Sequence, residues 1–407
     1  MLEGYWTVFI SICVSIFFIE ILCFTIVNFV NKNFQWLITS KDRFPKLSKK
    51  GLEKFLEHGY DNELGWIRKP NTEHFEKGKF GQTKWTVNAK GCRSNPNFDK
   101  NSSNISCYGD SFTFCRQVND NETWEHILSH YRGTNVTNFG VGNYGLDQVL
   151  LRLKREYKKQ PTETVIVGIV PDTISRILSV WKHYYEYGNT FGFKPRYEIQ
   201  NGKLELIKNF IDDENKFQNY QKYLKKIQEH DYFFKERFEK EILHFPYSIT
   251  IFKNIKRNFS IIYWVLRNKF SNTQNGKKIW MPMGTIMKIN LKWRIKLFQN
   301  SSSTKLFTSI IKEFIKFSQE KNFKLILIIL PQKDDLLFIK KNFHYYEKFI
   351  EEIIELPGLN FIDITNELIK ENHLDEFYSD DNDYGGHYSK KGNERIAGII
   401  NQKLHLF

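Results

Sequence analysis

A three-layer α/β/α sandwich around a parallel sheet is the fold this sequence predicts, on three observations. Short apolar, β-branched runs at residues 105–108, 135–139, 165–170, 324–330 and 360–364 are bounded by turn residues. Segments with helical spacing, at 122–130, 146–159, 304–320 and 342–354, separate most of them. Strands that alternate with helices pair in parallel, because the crossover helix brings the chain back to start in the same direction. Thirdly, Ser111, the glycine-bearing segment 140–145 and Thr173 all follow such runs, so they share the rim where open α/β folds gather ligands. With 407 residues, 41% of them hydrophobic and 16% aromatic, the chain can bury a substantial core.

Taken in order, the elements begin with residues 5–30, an apolar run interrupted only by Glu20. It is long enough to span a bilayer and reads as a single-pass membrane anchor. A cleaved signal peptide would have a basic start and small residues at its end, whereas this run opens on Met1-Leu2-Glu3 and ends in bulky side chains. Glu20 would cost about 2 to 3 kcal/mol at mid-bilayer, so protonation or a partner is expected. Residues 31–59 form a juxtamembrane linker carrying Lys32, Lys41, Arg43, Lys46, Lys49 and Lys50, and nothing basic precedes the span. By the positive-inside rule that places the rest of the chain in the cytoplasm.

The α/β domain is expected over 60–174 and 304–407. Its first strand ends at Gly109-Asp110-Ser111, which presents a hydroxyl at the sheet rim. A serine hydroxyl is a poor nucleophile until a base takes its proton. His387, in Gly385-Gly386-His387-Tyr388-Ser389, is the candidate base, just before a last helix that Ser389 caps. Asp383 is the preferred carboxylate to orient the imidazole, and Asp380 or Asp381 would serve nearly as well.

At this point the chain resembles the SGNH (GDSL-type) hydrolases, in particular their membrane-anchored bacterial members. The residues that carry the resemblance are Gly-Asp-Ser itself, 60–71 (YDNELGWIRKPN), 88–93 (NAKGCR), 138–148 (NFGVGNYGLDQ), 165–172 (VIVGIVPD) and the His387 loop. The resemblance implies a flavodoxin-like sheet order and an ester-handling enzyme without cofactor or metal. It implies that the oxyanion formed on serine attack is held by the amide of Ser111, by Asn143 in the second block, and by Thr173 where the family carries asparagine. Loss of one such donor costs roughly 3 kcal/mol of transition-state stabilisation. Asp110 and Gly142, flanking the hydroxyl and within the second block, are expected to contact substrate. The family's envelope chemistry would place the domain on the opposite side from the positive-inside rule, so the membrane side stays open.

Residues 175–303 form an insertion, lid or membrane-proximal helices, between the third and fourth strands. Its aromatic and basic start suggests sugar stacking on Trp181 or Tyr184 and capture of acidic groups by Arg176, with Lys194 and Arg196 as further choices. Residues 213–240 read as one charged helix, and 247–270 as an aromatic-basic helix suited to a lipid interface. The net charge of +14 fits a solvated basic surface or an anionic polysaccharide or membrane partner. No helix-turn-helix, zinc ligand set or basic repeat points to nucleic acid. The five cysteines, at 13, 23, 92, 107 and 115, show neither disulfide nor metal spacing. The expected function is that of a serine esterase, deacetylase or O-acetyltransferase acting on an acylated carbohydrate of the envelope. The alternative is a catalytically impaired relative that binds glycan or scaffolds polysaccharide assembly.

Overall fold

A computed structural model of the chain describes residues 2–100, 102–270, 281–380 and 386–406. Five strands form the central sheet: β1 (Ser103–Gly109), β2 (Asn135–Asn138), β3 (Thr164–Ile169), β4 (Lys324–Ile329) and β5 (Asn360–Asp363). Every pairing is parallel and the order is β5-β4-β3-β1-β2. Side chains alternate between the two faces. Ile105, Cys107, Ile166, Ile326 and Ile328 enter one core, and Tyr108, Val165, Val167, Leu325 and Leu327 enter the other. Both faces are thus apolar, as a parallel sheet with helices on each side requires.

The helices used below are α1 (Leu2–Asn33), α2 (Lys49–His58), α3 (Trp124–Arg132), α4 (Leu146–Tyr157) and α5 (Thr173–Arg176). They continue with α6 (Tyr247–Lys253), α7 (Ile255–Phe270), α8 (Met281–Phe298), α9 (Ser301–Lys321), α10 (Lys333–Lys341), α11 (Glu347–Ile354) and α12 (Lys390–Leu404). Apolar stripes of α3 and α12, through Trp124, Leu128, Ile396 and Ile400, cover one face of the sheet. Those of α4, α9 and α11, through Leu150, Leu153, Phe314 and Phe349, cover the other. The caps follow local chemistry: Thr123 accepts from the N–H of His126, and Ser389 from that of Gly392.

Segment 175–303 differs from a loose lid. Trp181, Tyr184, Phe193, Phe217, Phe233 and Phe238 continue the α4–α9 core without a break. The expected single helix over 213–240 is broken into short turns, including Glu214–Gln218 and Leu224–His230. Asp231 marks the break after Leu224–His230: its buried carboxylate accepts the N–H groups of Val180, Trp181, Phe233 and Phe234, and its backbone is extended there. A hairpin of Thr72–Gly78 and Gly81–Val87 adds a feature the sequence reading did not anticipate.

α1 is long and apolar enough to cross a membrane, and its side chains from Tyr5 to Phe24 are largely exposed. Its last turns pack through Val27 and Val30 on Ile251, Ile261 and Val265 of α6 and α7. Glu20 finds its partner here, accepting the backbone N–H groups of Tyr247 and of Ser248 (3.0 Å for the latter).

Candidate active site

β1 ends at Gly109, where a side chain is impossible: a Cβ would stand 2.0 Å from the Gly168 carbonyl and 2.2 Å from Thr113 Oγ1. Asp110 then turns inward. Its Oδ1 accepts the Phe112 N–H (2.8 Å), and its Oδ2 accepts the Val170 N–H (3.2 Å) and Arg176 Nη1 (2.9 Å). This carboxylate ties the ends of β1 and β3 together and leaves Ser111 at the rim, 5% exposed.

His387 Nε2 lies 2.8 Å from Ser111 Oγ. On the other side of the ring, Nδ1 lies 3.1 Å from Gln117 Oε1, which also accepts the His387 backbone N–H at 3.3 Å. A backbone N–H can only donate, so the atom facing it is the amide oxygen, and Nδ1 must carry the ring proton. Nε2 is left with its lone pair toward the serine hydroxyl. Gln117 in turn donates from Nε2 to Asp380 Oδ1 (3.3 Å). Asp383 lies outside the described residues.

Burial first, then the positive charges of Arg116, Arg176 and Arg68, hold the imidazole pKa well below 6.5. It is therefore neutral, and able to accept a proton, at neutral pH. The loop that carries Gln117 is strained, with Cys115 at φ 57° and Gln117 at φ 66°. Arg93 holds it there: its guanidinium donates to the carbonyls of Phe114 (2.6 Å), Cys115 and Val118 (2.6 Å) and to Asp120 (3.0 Å).

The second block supplies backbone donors. The N–H groups of Ser111, Gly142 and Asn143 find no acceptor among the described residues. Trp66 Nε1 donates to the Gly142 carbonyl (2.9 Å), so in that planar peptide the Asn143 N–H is turned the opposite way. Asn143 holds φ 65°, a conformation asparagine tolerates. A cavity of about 960 Å³, walled by Trp66, Arg68, Arg116, Gly142, Asn143 and Phe191 among others, reaches the site at Gly142, which borders Ser111.

Several expected site residues lie elsewhere. Thr173 is fully buried in the first turn of α5, and its hydroxyl has no partner among the described residues. Asp110 is 0% exposed and cannot touch substrate. Arg176 is consumed by Asp110, by Asp172 (3.2 Å) and by the Tyr144 carbonyl (3.2 Å). Trp181, 0% exposed, stacks on Phe193 and donates its indole N–H to the Thr190 carbonyl. Tyr184 packs on Phe234 and Phe238. Large aromatics pay most when fully desolvated, and these sit under the insertion rather than on it. Gly142 does stand at the cavity wall: a Cβ there would lie 3.8 Å from Ser111 Cβ.

No protein-family model and no curated protein matches this chain. Among solved structures it is similar to a protein assigned to the G-D-S-L lipolytic family from Desulfitobacterium hafniense DCB-2, with 11% identity, TM-score 0.34, and coverage of 73% of this chain and 97% of that one. A lipase/acylhydrolase from Enterococcus faecalis gives 13% identity, TM-score 0.31 and coverage of 74% and 95%. An acetyl xylan esterase, AlAXEase, gives 11% identity, TM-score 0.35 and coverage of 74% and 98%.

Proposed function

We propose that this chain is a membrane-anchored serine hydrolase or acyltransferase acting on acyl esters, with Ser111 as nucleophile. The observation that carries the reading is the 2.8 Å approach of Ser111 Oγ to a His387 nitrogen whose protonation state Gln117 dictates. Nε2 takes the hydroxyl proton as Oγ bonds to the ester carbonyl carbon. The resulting oxyanion is held by the N–H groups of Ser111, Gly142 and Asn143, in place of the threonine hydroxyl. Collapse expels the alcohol, which leaves with the proton from Nε2, and the acyl group stays on Ser111. Water as second acceptor gives an esterase or deacetylase, and a sugar hydroxyl gives an O-acyltransferase. Both share this first half-reaction, and an acylated envelope carbohydrate is the substrate class we favour.

The test is p-nitrophenyl acetate hydrolysis by the detergent-solubilised full chain. Ser111→Ala is expected to lower the rate by about 10³-fold or more. Equal rates in the two proteins would remove the nucleophile assignment.

We place α1 across the bilayer and the outer face of α6 and α7 against lipid. Phe245, Ile249, Phe252, Ile255, Phe259 and Tyr263 are exposed on or next to α6 and α7, the helices that pack on α1. Lys253, Lys256 and Arg267 lie on the same helices, as suits an interfacial helix.

A further inference from the structure

Arg68 lines the cavity, and the proposed reaction gives it no task. Its guanidinium sits in the corner between two rings, 4.0 Å from the centroid of Trp85 and 4.1 Å from that of Phe114. Trp85 and Phe114 themselves meet edge to face at 5.1 Å, which fixes that corner. Such stacking orients a guanidinium without neutralising it. Among the described residues Arg68 makes no hydrogen bond or ion pair, and its Nε is shut off from water with no partner.

The acids nearby are already engaged. Glu76 accepts both from Arg116 Nε (3.0 and 3.2 Å) and from the Trp85 indole (3.0 Å), and Glu73 pairs with Lys84 (2.7 Å). Burial and then the neighbouring Arg116 charge push the Arg68 pKa down to about 9, against the opposing pull of Glu76. It stays protonated at neutral pH. Nη2 would lie 3.9 Å from a Cβ on Gly142, and that same Cβ would be 3.8 Å from Ser111 Cβ. A guanidinium held by two rings, with no acid partner among the described residues, therefore stands on the wall of a cavity large enough for a sugar, beside the Gly142 that borders Ser111.

We propose that Arg68 is an anion-binding residue of this cavity, so that the substrate carries a carboxylate or phosphate close to the ester. The substrate class rests on the hydrolase reading above, but the binding of the anion does not. A guanidinium facing an acid oxygen forms charge-assisted hydrogen bonds, and out of water these are worth more than at an open surface. Arg116, already committed to Glu76, supplies field rather than contacts. A neutral acylated sugar would cover Arg68 without giving it an acid partner, which opposes its binding.

Thermal shift of the detergent-solubilised full chain tests the proposal with glucuronate, its neutral methyl ester and glucose 6-phosphate as probes. Glucuronate or the sugar phosphate is expected to raise the melting temperature of the wild type while the methyl ester does not, and whichever acts identifies the anion. In Arg68→Gln the affinity for that anion is expected to fall by about tenfold or more, the equivalent of one lost charge-assisted contact. If Arg68→Gln does not fold, Arg68→Lys carries the comparison: it keeps the charge but loses the stacked planar fork, and weaker binding is again expected. Equal response to glucuronate and its methyl ester, or unchanged anion affinity in the variant, would overturn the anion site. Failure of the wild type to hydrolyse p-nitrophenyl acetate would count against the hydrolase reading alone.

Discussion

Gln117 decides which nitrogen of His387 carries a proton, a task for which a carboxylate was expected. A neutral amide orients the ring as well as a carboxylate would, but it adds no negative charge to stabilise the imidazolium that forms during attack. With burial and the arginines opposing protonation, the base operates from a depressed pKa. The acid limb of kcat/KM is accordingly expected below pH 6.5, the ordinary imidazole value. Arg116→Gln removes the largest of the repelling charges and should move that limb upward; an unmoved limb would show that the ring is not the titrating group. Gln117→Ala should cost about 10²-fold in kcat/KM with little change in melting temperature, because it frees the tautomer and the ring rotation rather than the core. Ser111 and His387 are legible in the sequence because each is announced by its immediate neighbours, a strand ending in Gly-Asp-Ser and a glycine-flanked loop before a capped helix. Gln117 and Arg68 are not, since their roles arise from contacts across the fold: Gln117 to a loop far along the chain, Arg68 to the hairpin Trp85 and to Phe114.

At the scale of elements, period-two and helical spacing carry real information wherever burial is one-sided or complete, and the five strands lie where their apolar runs stand. The reading fails where a polar side chain overrides propensity. Asp231 marks the break in a helix that its charged sequence would otherwise support, and Trp181 and Tyr184 are equally good sugar platforms and core residues until the insertion is seen to pack on α4 and α9. Glu20 is the converse case. A carboxylate inside the apolar helix α1 marks the point where α6 begins, so on the membrane placement proposed above α6 lies within the depth of the span. A nitroxide placed at Phe259→Cys in reconstituted protein lacking the exposed Cys13 should therefore collide more often with oxygen than with a water-soluble nickel chelate. The reverse order would put the face of α7 in water.

Across the whole molecule, a chain of buried ions joins the rim of the sheet to the insertion. Asp110 pairs with Arg176, Arg176 with Asp172, Asp172 with Arg294 (3.4 Å), and Arg294 with Asp335 and Asp334 at the start of α10. Asp334 is the strained member, raised to about 7 by burial despite the nearby Arg294. Arg294→Met would leave these aspartates without their cation, and a loss of about 3 to 5 kcal/mol is expected in equilibrium unfolding. A change below 1 kcal/mol would mean that the acids are neutral in the folded protein.

The cavity wall rests on the segment that follows the long apolar helix α1. Phe191 stacks on Phe55 of α2, Tyr187 meets Trp36 edge to face, and His183 Nε2 donates to the Asp42 carbonyl. On the membrane placement and hydrolase reading proposed above, such a mooring leaves no swinging arm: the mouth would keep a fixed height and heading over the lipid, and would draw on a two-dimensional supply of groups tethered within reach.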